Sequence, residues 1–86
     1  MTMTLEEIKG MNIPVGTPIE LTLIHGNESS RKLGYFDRVY IDTQMDSKPK
    51  LEYDAGLDFK GKLRLSTNQK IPIDSIEKIK ILQYKN

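Results

Sequence analysis

Ile19, Leu21 and Leu23 alternate with Glu20, Thr22 and Ile24, and this alternation constrains the fold more than any other feature of the chain. Period two marks a strand with one buried face, whereas the segment before it reads as a helix. Thr4 is placed to cap that helix, and Glu7 stands three residues later in the capping-box position. Leu5 and Ile8 fall on one helical face, and Gly10 is placed to end the helix in the left-handed conformation. Two turns are too short to persist alone in water, so the helix must dock on an apolar surface, with Met11 and Ile13 closing the contact. Pro14, Gly16 and Pro18 then separate it from the first strand.

Further along, residues 25–30 predict a turn-forming loop. A second strand is expected over about residues 31–42. Strict alternation puts Leu33, Tyr35, Val39 and Ile41 on one face and Phe36, Arg38 and Tyr40 on the other. Asp37 interrupts this order, which predicts a bulge or strong bend near Asp37 and Arg38. Residues 43–48 read as a polar loop. Leu51 and Tyr53 mark a short third strand after Pro49, and residues 54–58 connect it onward. Residues 61–66 predict a fourth strand, with Leu63 and Leu65 opposite Lys62 and Arg64. Thr67, Asn68 and Gln69 predict a tight turn before Ile71 and Ile73, and Pro72 places that point at a sheet edge or on the outward side. Residues 74–77 look like one helical turn, and Ile79 and Ile81 alternate with Lys78 and Lys80 in a last strand. The expected core is Ile19, Leu21, Leu23, Leu33, Val39, Ile41, Leu51, Leu63, Leu65, Ile73, Ile76, Ile79 and Ile81.

With 86 residues, one thin core is the ceiling, so a single domain is expected. Residues 1–13 form its helix and lead-in, and residues 17–86 form a small barrel of five or six strands. Closure is the natural solution for so short a sheet, because an open one exposes its edges. The run from Ile19 to Gly26, entered from a short helix and leading into a bent second strand, resembles the opening of Sm-like and SH3-like small barrels. The segment from Ile71 to Ile81 resembles their closing strand, helical turn and strand. The resemblance implies a mainly β fold with a short N-terminal helix. It lends no site residues.

Little catalytic chemistry is available. The chain has no cysteine, which removes disulfides, thiolate nucleophiles and thiolate metal sites. Its one histidine, His25, stands beside Gly26 in a turn, with no partner set by spacing. Asp54 and Asp58 flank Gly56, but the third acidic ligand and closing glutamate of a calcium loop are missing. The expectation is therefore a non-enzymatic chain with no metal and no cofactor. No apolar run approaches the roughly 20 residues of a membrane span, and the N-terminus has no secretory pattern, so a cytoplasmic location is expected.

Charge supplies the one lead. The net +1 divides into −4 over residues 1–59 (six basic, ten acidic) and +5 over residues 60–86 (seven basic, two acidic). Lys60, Lys62 and Arg64 lie two residues apart, so a strand projects all three from one side. With Arg38 and Tyr40 on the outward face of the bent strand, they form a candidate binding face. A plainer role for such lysines is to keep edge strands from pairing. Two functions follow. The first is binding of a protein partner or self-association, through strand edges or through Tyr35, Tyr40, Tyr53 and Tyr84. The alternative is single-stranded nucleic acid, with the cations on phosphates and a ring for stacking.

Overall fold

Thr4 caps the helix α1 (Leu5–Gly10) as its spacing with Glu7 predicts. Its hydroxyl accepts from the Glu7 N–H at 3.2 Å, and the Glu7 carboxylate accepts from the Thr4 N–H at 3.0 Å. The computed structural model describes residues 1–56 and 67–82. Gly10 does not end the helix in the left-handed conformation; the chain turns left-handed two residues later, at Asn12 (φ 52°). Ile8 is fully buried, with Met3, Leu5, Met11 and Ile13 packed around the core it enters. Docking of this face gives the short helix the support that its length denies it.

The fold is mainly β. Strands β1 (Pro18–His25), β2 (Glu28–Asp42), β3 (Lys48–Asp54), β4 (Asn68–Pro72) and β5 (Ile76–Ile81) form one antiparallel five-stranded sheet in the order β4-β3-β2-β1-β5. Among the described residues β4 and β5 are the outer strands, and no ladder joins them. β1 keeps the expected parity, with Ile19, Leu21 and Leu23 buried. The connection to β2 is tighter than the loop expected over residues 25–30, because His25 already pairs with Glu28. Gly26 takes φ 63° at the first central position, as a two-residue type II′ hairpin requires.

The expected bulge in β2 is present, and it corrects the face assignment around it. Phe36 pairs with Tyr53 and Arg38 with Glu52, leaving Asp37 as the extra residue. One extra residue reverses the alternation. Before the bulge Gly34 and Phe36 point inward, so Phe36 belongs to the core and Leu33 does not; Leu33 is 41% exposed. After the bulge Val39 faces inward opposite Leu51, while Arg38 and Tyr40 point outward. Ile41 and Ile81 also leave the expected core, at 51% and 41% exposure, each at the C-terminal end of its strand.

The predicted strand over residues 61–66, with Leu63 and Leu65, lies outside the described residues. Asn68 and Gln69 do not form a tight turn but begin β4. Asp54 holds that start in place: its Oδ1 accepts from the Gly56 N–H at 2.9 Å and the Thr67 N–H at 3.1 Å. Pro72 ends β4 on the sheet edge, where a missing N–H costs least. A 3-10 turn at Ile73–Ser75, one residue earlier than expected, buries Ile73 and redirects the chain into β5. The buried set is Ile8, Ile19, Leu21, Leu23, Phe36, Leu51, Tyr53, Ile73, Ile76 and Ile79.

Candidate interaction surface

The bulge at Asp37 aims Arg38 and Tyr40 together onto the outer face of the sheet. Across the ladder from Arg38 lies Glu52, and across from Glu52 lies Lys70 of β4. A single row therefore runs Arg38, Glu52, Lys70 over three strands. Arg38 Nε donates to Glu52 Oε1 at 2.9 Å. The guanidinium carbon also stands 4.3 Å from the centre of the Tyr40 ring, within cation–π range. Hydrogen bonding to Glu52, with the nearby negative charge, raises the Arg38 pKa above its ordinary value. The side chain is held by two neighbours while remaining 59% exposed.

A recess of about 360 Å³ opens beside this row, between Arg38, Tyr40, Asp42, Gln44 and Lys70. The Tyr40 hydroxyl is shielded from solvent and has no hydrogen-bond partner among the described residues. A buried donor without a partner is costly in a folded protein. Lys50, across from Tyr40, is engaged elsewhere. Its Nζ lies 3.0 Å from Asp46 Oδ2, and this contact raises the lysine pKa and lowers that of Asp46.

Of the residues singled out in the sequence, the structure brings Arg38 and Tyr40 together; Lys60, Lys62 and Arg64 lie outside the described residues. Glu52 and Lys70 were not singled out. Both are ordinary charged residues in alternating segments, and only the register shows that they share a row with Arg38. Among the described residues no group of three His, Asp or Glu side chains is placed to hold a metal ion. No described helix is long and apolar enough to cross a membrane. Compared with known protein families, curated proteins and solved structures, the chain shows no significant match.

Proposed function

We propose that the chain is a non-enzymatic binding or assembly module of the cytoplasm that engages protein, either a different chain or a second copy of itself. One observation carries this reading: the sheet ends at β4 and β5, and among the described residues nothing pairs with the outer side of β4. Unpaired edge backbone is a template for an added strand. Exposed Leu33, Ile41 and Ile81 supply apolar contact area on the same small molecule. The likeness to Sm-like and SH3-like small barrels belongs to this proposal. So does the absence of a catalytic role for His25, which is exposed at the end of β1 and lacks the shielded setting that tunes a general base.

A second reading, binding of single-stranded nucleic acid, is favoured by the Arg38–Tyr40 stack beside Lys70. Against it, Glu52 offsets the Arg38 charge, and the guanidinium already covers one face of the ring on which a base would stack.

Light scattering over a range of concentrations, combined with partner capture, tests the proposal. The expected result is a mass above the monomer or a captured protein, in either case lost with Asn68→Pro, which blocks the β4 edge. A monomer that captures nothing overturns it. Fluorescence anisotropy with single-stranded RNA at about 50 and about 200 mM salt tests the second reading. Salt-sensitive binding that falls in Arg38→Ala transfers the function to nucleic acid.

A further inference from the structure

Ladder geometry shows which backbone groups β4 offers. The Ala55 N–H donates to the Thr67 carbonyl at 2.9 Å, so residues 55 and 67 form a hydrogen-bonded pair. Antiparallel ladders alternate, which makes Tyr53–Gln69 and Leu51–Ile71 hydrogen-bonded pairs as well. Asn68 and Lys70 therefore turn their N–H and C=O groups away from β3, toward the outer side of the sheet. At the other edge the Leu82 N–H donates to the Pro18 carbonyl at 2.9 Å, so by the same alternation Ile79 and Ile81 face outward from β5. That second edge is already engaged at its start, where the Met3 N–H donates to the Ile76 carbonyl at 2.8 Å. Among the described residues β4 is the more open of the two.

Charge then selects what β4 accepts. The row Arg38, Glu52, Lys70 alternates plus, minus, plus across β2, β3 and β4. A strand added outside β4 places a side chain next to Lys70 on the same face. Opposite charges at cross-strand positions stabilise a pair and like charges destabilise it, so the fourth position in the row calls for a carboxylate. Lys70 is exposed and has no ion-pair partner among the described residues. The recess it shares with Tyr40 has room for a side chain.

A second copy meets this requirement poorly. Its β5 edge presents Lys78 and Lys80 on the outer face, opposite Thr22 and Glu20, against one acidic neighbour, Glu77. Pairing β4 with β4 sets two Lys70 side chains on one face. We infer that the outer edge of β4 docks an extended segment of a different protein, with Asp or Glu beside Lys70. This rests on the docking proposal above and narrows its partner to an acidic, strand-forming chain.

The test uses the full chain and two fluorescein-labelled short peptides, one alternating Thr with Glu and one alternating Thr with Lys. The Thr–Glu peptide is expected to bind saturably. Lys70→Glu weakens that binding about fivefold to tenfold and transfers preference to the Thr–Lys peptide. Asn68→Pro, which removes an outward N–H and keeps Lys70, weakens binding while circular dichroism stays unchanged. Amide resonances of Asn68 and Lys70 are expected to shift on binding. Equal binding of both peptides, or indifference to Lys70→Glu, overturns the inference. Shifts confined to Ile79 and Ile81 retain protein docking but overturn its assignment to β4. Displacement of the peptide from Lys70 by an oligothymidylate at equal affinity overturns the acidic-protein assignment in favour of nucleic acid. No peptide binding together with no self-association overturns both proposals.

Discussion

Arg38 and Glu52 form an asymmetric ion pair at 2.9 Å: the Arg38 side chain is 59% exposed, whereas the Glu52 side chain is only 8% exposed. The two ends of the bond therefore respond differently to loss of the partner. Without Glu52, Arg38 can turn to water. Without Arg38, the Glu52 carboxylate loses its hydrogen-bond donor at a position where its side chain is only 8% exposed. An unpaired buried charge is the more costly state.

Glu52→Gln is accordingly expected to cost under about 1 kcal/mol. Arg38→Ala is expected to cost more, and adding Glu52→Gln to Arg38→Ala to restore part of the loss. Urea unfolding checks the order of midpoints: wild type highest, Arg38→Ala lowest, the double variant above Arg38→Ala. A double variant less stable than either single one contradicts the asymmetry.

Gly34 meets a different constraint. The Tyr53 ring lies against it, and a Cβ added there would also come within 2.7 Å of the Asp54 carbonyl oxygen. Neither neighbour yields readily, since Tyr53 is buried in the core and Asp54 is backbone of the paired strand. Gly34→Ala is expected to destabilise by about 1–3 kcal/mol, read from chemical denaturation, while Gly10→Ala, with open space around it, has no such clash. Equal losses at the two positions would show that Tyr53 does not seal β2 in this way.

Asp46 sets a pH dependence. Its carboxylate accepts from Lys50 Nζ at 3.0 Å and from the Lys48 N–H at 3.1 Å, and these bonds hold its pKa below the ordinary 3.8. Near that pH the unfolded chain binds more protons than the folded one, so stability rises with pH there. The advantage of wild type over Asp46→Asn is expected to be full at neutral pH and to shrink as pH falls below 3.8. Thermal melts of both proteins across that range check it. A difference that grows on acidification has the wrong sign for this pair.

Local signals in the sequence carried much of the fold. Thr4 and Glu7 declare the helix start by spacing alone, and Ile19, Leu21 and Leu23 declare the first strand by parity. Leu33 and Phe36 face opposite to what strict alternation predicts, for a definite reason. A bulge at Asp37 shifts parity by one, and apolar alternation reads equally well from either side of it until the register to β3 is known. Ile41 and Ile81 fit their patterns but lie at strand ends, where they stay about half exposed. Arg38 and Tyr40 could be placed on one face from spacing after the bend. Glu52 and Lys70 could not, because a cross-strand row is a property of pairing between distant segments and leaves no local trace.

Amide hydrogen exchange at β4 tests the central claim, an open edge that takes a partner strand. In the free protein, Gln69 and Ile71 are expected to exchange slowly because their N–H groups bond to β3, while Asn68 and Lys70 exchange fast. Saturation with the Thr–Glu peptide is expected to slow Asn68 and Lys70 and to leave Ile79 and Ile81 unchanged. Protection of Asn68 and Lys70 in the free monomer, or no slowing on saturation, would contradict the account.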